Sequence, residues 1–425
     1  MTQETHPPAE STTRHSEAAD RGTTPKPPLA DVDFNLTPFT VAWEITRACA
    51  LRCVHCRAEA QPKRDPRELT TEEGFRLIDQ IAEIGGPILV ITGGDPMMRR
   101  DIFEFISYAA KDRGLRVALS PSATALATRE RLRRAREAGV TRTHISLDGA
   151  TQDSHDNFRQ SPGSFQRTLE IMDALRDLGM SLQIGSTVSR YNLHELDAIA
   201  GIAARYGAVM LNFFFLVPTG RGSAEDMISP EEHERVFNWM YDLAKSAPFD
   251  VRTTAAQHYR RVVIQRRRQE MAEAAARGEK VAAGPGGSMH LTGAGYSFAG
   301  GLGQSTMKGV NDGNGFAFIS HIGEVCPSGF LQIPAGSVRR QSFVEIYRHS
   351  PLFRELRDYA KLKGRCGVCD FRDVCGGSRA RAFAVTGDYL ETEPYCIYVP
   401  PAWKETVAVP PSPSSGAFVP FSGRN

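Results

Sequence analysis

Cys49-Ala50-Leu51-Arg52-Cys53-Val54-His55-Cys56 places three thiols in a C-x3-C-x2-C loop directly after an apolar run, Val41 to Ile45. Three thiols are one short of a closed metal site. Structural zinc takes four ligands, whereas an iron-sulfur cube held by three cysteines keeps one iron free to bind something else. A zinc knuckle or a set of reduced structural thiols is the alternative reading of the spacing.

Outward from this loop the chain alternates strand-like runs with amphipathic helices. Strands are predicted at Val41 to Thr46, Ile88 to Thr92, Arg116 to Ser120, Thr143 to Leu147, Leu182 to Val188 and Val209 to Leu216, all short, apolar and rich in branched or aromatic residues. Between them, Thr70-x-x-Glu73 is a capping box that opens a helix with Phe75, Ile78, Ile81 and Ala82 on one face and Gly85-Gly86 at its end. Further helices are expected at Ile102 to Asp112, Thr128 to Ala138, Ser164 to Leu178, Leu193 to Tyr206 and Pro230 to Lys245. Repeated strand-helix units imply an α/β fold with a parallel sheet and right-handed crossovers, an open or closed barrel. Such a barrel carries its chemistry at the carboxyl ends of the strands. There the chain has the cysteine loop, Gly93-Gly94-Asp95-Pro96, Ser122, Asp148-Gly149, Ser186 and Thr187, and Val217 to Gly222.

With 425 residues, 41% of them hydrophobic, the chain can bury a substantial core. Fifty-one Lys and Arg against 49 Asp and Glu give no electrostatic case for nucleic acid or an anionic membrane. No apolar run reaches bilayer length and the first 30 residues lack the apolar core of a secretory signal, so a cytoplasmic location is expected. Eight cysteines fall in two tight groups with only Cys326 apart, which suits metal ligation in a reducing compartment better than disulfides. Residues 1–35 and 402–425 are read as a disordered leader and tail. The core barrel spans 36–250, a basic helix from His258 to Lys280 and a Gly-rich stretch occupy 251–315, and a second cysteine-bearing unit spans 316–401.

The cysteine spacing resembles that of the radical S-adenosylmethionine (SAM) enzymes. The resemblance implies a partial (β/α)6 TIM-like barrel, a 4Fe-4S cluster held by Cys49, Cys53 and Cys56, and SAM on its free iron. It also implies reductive cleavage of SAM to a 5'-deoxyadenosyl radical that abstracts hydrogen from a substrate, with a flavodoxin or ferredoxin as reductant. Gly93-Gly94-Asp95-Pro96 is similar to the family's GGEP motif, which receives the methionine amino group. Glycines let backbone approach closely and Pro stiffens the turn. The run Ile145 to Gly149 followed by His155 to Arg159 resembles a segment that lines the SAM pocket, with Ser146 and Asp148 as lining groups and Arg159 as the fork that neutralises the SAM carboxylate. Ser122 and Thr187 join this set as hydroxyls at strand ends. Glu44 and His55 stay outside it, His55 as a neighbour that packs beside the cluster.

Cys366-x2-Cys369-x5-Cys375 with Cys396 closely resembles the auxiliary-cluster half of a SPASM domain, the C-terminal iron-sulfur extension of many radical SAM enzymes. Four thiolates alone do not distinguish zinc from iron-sulfur. Arg379 stands where a second auxiliary cluster would need a cysteine, and Ser328 stands at another such position with Cys326 displaced by two. The resemblance therefore implies one auxiliary 4Fe-4S cluster, with Cys326 a lone buried thiol.

Trp43 to Arg47, Val217 to Gly222, Pro327 to Leu331 and Gly376 to Ala382 look like the branch holding the alternative haem-pathway enzymes and nitrite-reductase haem maturases. That implies a tetrapyrrole whose carboxylate side chain is modified, with His258 to Arg261, Arg379 and Arg381 as candidate carboxylate donors. A maturase of ribosomally made peptides is the second reading, and a non-catalytic metal-binding regulatory module the third.

Overall fold

A computed structural model describes residues 29–278 and 309–406. The leader before Leu29, the Gly-rich stretch 279–308 and the tail from 407 onward lie outside the described residues. The predicted alternation is present as β1 (Thr40–Glu44), α1 (Thr71–Glu83), β2 (Ile88–Thr92), α2 (Ile102–Ser107), β3 (Val117–Leu119), α3 (Arg129–Ala138), β4 (Val140–Ser146), then α4 (Gln152–Arg159), a helix the pattern did not mark, α5 (Ser164–Asp177), β5 (Leu182–Val188), α6 (Leu196–Arg205), β6 (Met210–Phe215) and α7 (Pro230–Ser246). Thr70 and Glu73 close their capping box at the start of α1, and the helix read over Ile102 to Asp112 loosens into a π-turn from Tyr108.

Four further strands complete one ten-stranded sheet in the order β10-β9-β8-β1-β2-β3-β4-β5-β6-β7, parallel from β8 through β7. The strand-helix rhythm runs past residue 250, where the sequence places the end of the core: β7 (Asp250–Thr254) pairs with β6, and α8 (Tyr259–Ala276) follows it. On the other edge β8 (Phe316–Ile319) lies parallel to β1, and β9 (Glu324–Cys326) and β10 (Gly336–Ser337) continue antiparallel. The sheet thus crosses the boundary drawn in the sequence between barrel and extension. β7 and β8 escaped the pattern for a physical reason: Asp-Val-Arg-Thr-Thr has no apolar run, and Phe316 to Ile319 is four residues long after a Gly-rich stretch.

Helices pack on the outer face, where Trp43 and Phe105 are fully buried with ring centroids 5.1 Å apart. Gly74 on α1 makes this possible, since a Cβ there would lie 2.5 Å from Phe105. The end of the segment expected to be disordered is in fact packed: Leu29, Val32 and Phe34 cluster with Phe39, and the Phe34 carbonyl accepts from Tyr347 Oη at 2.8 Å. Three apolar residues within six are enough to dock that stretch. The C-terminal part adds α9 (Phe343–His349), α10 (Pro351–Arg357), the short turns α11 (Gly364–Gly367) and α12 (Arg372–Cys375), and α13 (Arg379–Thr386). Among the described residues no helix is long and apolar enough to cross a membrane.

Removing the ring that seals this face, Phe105→Ala, is expected to lower the free energy of unfolding by about 3 to 5 kcal/mol, read as a shift of the denaturant midpoint; an unchanged midpoint would mean that the packing of α2 on β1 and α1 does not support the fold.

Candidate active site

The cysteine loop is held by backbone on two sides. Gly94 N–H donates to Thr46 O and Asp95 N–H to Ala48 O, both at 2.7 Å. A Cβ on Gly94 would lie 2.5 Å from Ala48 O, so the glycine pair serves close approach to the cysteine loop itself. On the other side Arg221 N–H donates to Cys56 O at 3.1 Å and its Nε to Cys53 O at 3.0 Å. Gly220, at φ 60°, leaves no room for a Cβ beside Cys56 O. The Val217 to Gly222 segment is therefore a latch on the loop.

So held, Cys49, Cys53 and Cys56 line one cavity of about 190 Å³ together with Gly93, Gly94, Ser122, Ser146, Arg159 and Thr187. Cys49 Sγ accepts from Leu51 N–H at 3.4 Å and lies 3.7 Å from Ser122 Oγ, while Cys53 Sγ accepts from Arg159 Nη1 at 3.5 Å. Burial pushes the Cys49 thiol up to about 11, so it needs a positive charge to become a thiolate. Three thiols around one hollow, two of them receiving donors at sulfur, fit a cluster that leaves one iron open.

The remaining acids do not reach the cavity. Asp95 is fully buried and accepts from Thr124 Oγ1 at 2.6 Å, Met97 N–H at 3.1 Å and Ser122 N–H at 3.4 Å. Its carboxylate thus braces the motif's own turn, and neither it nor Pro96 lines the hollow. Asp148 is likewise buried: it accepts from Thr187 N–H at 2.6 Å and is ion-paired with Arg159. Burial opposes its charge, but Arg159 holds it below the usual carboxylate range. Asp148 is a support for Arg159, whose guanidinium is what lines the cavity. Ser186 turns to the helix side, fully buried, and Thr187 to the cavity. His55 stacks on Phe158 with ring centroids 4.3 Å apart, and burial lowers its pKa to about 4.

Glu44, set aside in the sequence reading, is the electrostatic centre beneath the loop. Its fully buried carboxylate accepts from Arg47 Nε and Arg57 Nη1, each at 2.9 Å, and lies 3.2 Å from His321 Nδ1. Burial would raise this carboxyl, yet the His321 bond and the Arg57 and Arg47 charges hold it down at about 2. The signal was legible: an acid inside an apolar strand must be paired.

Cys366, Cys369, Cys375 and Cys396 come together at the C-terminal end. Burial raises each of the last three thiols, and their pKa values are raised further by neighbouring thiols of the same group, Cys366 among them. Cys326 stays apart, buried against Ala42 and Phe318. The expected carboxylate donors are otherwise engaged. Arg381 pairs with Glu393 at 2.9 Å and donates to Ala255 O and Leu216 O, tying this unit to the ends of β7 and β6. Arg379 caps Tyr389 O and Glu391 O, and Arg261 pairs with Glu234. His258 is buried against Phe237. Arg260 borders a larger cavity, with its Nη atoms on the Val374 and Val310 carbonyls.

A partial parallel barrel with three thiols at the carboxyl end of its first strand is the architecture of a radical SAM protein, and residues 43–201 match the Radical SAM superfamily. The chain belongs to that superfamily. It is 43% identical to the AdoMet-dependent heme synthase of Methanosarcina barkeri over 85% of this chain and 97% of that protein. It is 42% identical to the AdoMet-dependent heme synthase of Nitratidesulfovibrio vulgaris, over 87% and 94% respectively. Among solved structures, Streptococcus suis SuiB bound to S-adenosylmethionine superposes with a TM-score of 0.62 at 12% identity, over 85% of this chain and 78% of that one, a likeness of fold.

Because Glu44 titrates lower in the folded protein than its ordinary value of 4.5, its stabilisation is complete above about pH 4.5 and is lost as pH falls towards 2. Glu44→Gln is expected to cost about 3 kcal/mol at pH 7, with the difference from wild type shrinking as pH falls below 4.5. Denaturant unfolding across that window checks it; a pH-independent difference would remove the charge from the explanation.

Proposed function

We propose that this radical SAM enzyme acts on a tetrapyrrole and modifies its carboxylate side chains. The observation that carries the reading is a second, larger cavity of about 530 Å³ within the barrel, in the size range of small-molecule sites. It shares Arg57, Thr92, Ser120, His144, Phe214 and Phe330 with the thiol-lined hollow, so a ligand filling it meets the reacting end. The two relatives above, named as heme synthases and matched over nearly their whole length, support the same substrate class.

In this reading Cys49, Cys53 and Cys56 hold the 4Fe-4S cluster, and cluster and SAM together supply the 5'-deoxyadenosyl radical that takes hydrogen from the substrate. Backbone at Gly93 and Gly94 and the hydroxyls of Ser122, Ser146 and Thr187 bind SAM. Asp95 and Pro96 act indirectly, by keeping that backbone in place. Arg159, oriented by Asp148, meets the SAM carboxylate with a fork suited to it. Cys366, Cys369, Cys375 and Cys396 would hold one auxiliary cluster, which would supply an electron-accepting group. A small electron-transfer protein, a flavodoxin or ferredoxin, supplies the reducing electron.

Anaerobic reconstitution with iron and sulfide should load two clusters on the wild type and one on a Cys49/Cys53/Cys56 triple Ala variant, with 5'-deoxyadenosine formed only by the wild type. Iron coproporphyrin III offered to the wild type should lose carbon dioxide from its side chains, read by mass. Zinc in place of iron, or no SAM cleavage by loaded protein, would sink the enzyme assignment; turnover of a peptide with none of the porphyrin would overturn the substrate.

A further inference from the structure

Every strand from β8 through β7 contributes to the lining of the larger cavity, with residues spaced two apart on β8, β1, β2 and β6. On β2 Val90 and Thr92 face it while Leu89 and Ile91 are buried against helices; on β4 Arg142 and His144 face it and Ser146, two residues on, faces the thiol-lined hollow, with Thr143 and Ile145 buried between them. Followed back toward the amino ends of β3 and β4 the inward face becomes cationic, and β7 adds a third arginine from its middle residue. Arg116 precedes β3, Arg142 lies on β4 opposite Ala118, and Arg252 lies on β7 opposite Asn212. With Arg57 and Arg260 they make five arginines on this lining, against one carboxylate among the described residues, Asp312.

That carboxylate does not answer the charge. Asp312 accepts from Ala380 N–H at 3.0 Å, on the side of the auxiliary unit, and burial raises its pKa. Asp250, outside the lining, pairs with Arg252 at 3.1 Å and is the charge that supports Arg142, whose pKa burial nonetheless lowers. The lining itself is thus rich in guanidinium and poor in carboxylate, a composition that suits an anionic ligand. Guanidinium groups receive carboxylates as two-pronged partners.

We propose that Arg116, Arg142 and Arg252 form a carboxylate anchor at the floor of the barrel. It holds the side chains of the tetrapyrrole that are kept and so presents those on the opposite edge to the SAM pocket. The inference rests on the tetrapyrrole reading above. Distance supports it: Arg142 and Ser146 are four residues apart on one strand, roughly 13 Å at about 3.3 Å per residue, the scale of a porphyrin measured from one side chain to the opposite one. The anchor is a positioning device, selecting which carboxylates react through where it holds the others.

The test is equilibrium binding by reconstituted wild type, Arg116→Gln and Arg142→Gln, followed by absorbance, with iron coproporphyrin III and its tetramethyl ester as probes. Arg252→Gln is a weaker choice because its loss also strands Asp250. Each Gln variant should weaken the tetra-acid about 10-fold to 100-fold. The ester should bind wild type as weakly as the acid binds the variants, and should not distinguish wild type from variant. Arg142→Lys, which keeps the charge but loses the fork, should fall between. Turnover should show a raised KM and a changed ratio of singly to doubly modified product. Wild-type affinity for the acid in both Gln variants, or equal binding of acid and ester by wild type, would overturn the anchor while leaving the tetrapyrrole reading intact. A wild type that binds neither porphyrin would overturn both.

Discussion

A carboxylate with no access to water sits in the first strand, and the site is built around satisfying it. Glu44 is answered by Arg47 from the start of the cysteine loop, Arg57 from just after it and His321 from the turn between β8 and β9. An unpaired charge at that depth would cost several kcal/mol, so the three partners cannot drift far. Two of them bracket the cysteine loop in sequence. Its two ends are therefore pinned at one point, and the third partner ties the same point to the C-terminal part of the chain.

The same economy appears at the other join. Arg381 and Glu393, both fully buried, pair with each other and spend their remaining capacity on backbone: Arg381 on the carbonyls of Leu216 and Ala255, Glu393 on the Ser378 and Tyr395 amides. A buried ion pair is a poor source of net stability, but it fixes register, because only one arrangement satisfies every donor. Barrel and auxiliary unit are thus placed by geometry more than by apolar area. In consequence the four C-terminal thiols have a defined position relative to the strand ends that carry the first three.

The barrel differs from one filled by its own side chains. A closed TIM barrel stacks branched apolar residues in layers across its axis. Here the inward positions include Ala42, Ala118, Ser120, Gly185, Thr187 and Thr254, small or polar groups that leave space. The outward positions carry the large apolar residues, Trp43, Leu89, Ile91, Leu119 and Phe213 among them. The fold is stabilised from the helix side, which leaves the lumen to ligands.

Much of this was legible in the chain. Six strands and their helices were marked by period and caps, and the two cysteine groups by spacing, because those signals are local: a capping box needs four residues and a ligand loop eight. Membership of the radical SAM superfamily followed from motifs of that kind. Tertiary structure decided what depends on distant partners. It added β7 and β8, whose pairing with β6 and β1 compensates for weak local pattern. It turned Asp95 and Asp148 away from the cavity, made Glu44 a hub, and drew Arg381 and Arg261 into ion pairs and Arg379 onto backbone carbonyls while bringing Arg116, Arg142 and Arg252 to one cavity. A charged residue reads alike in sequence whether it meets a ligand, a carbonyl or an acid; only the positions of the groups around it, set by strand register and helix packing, determine which.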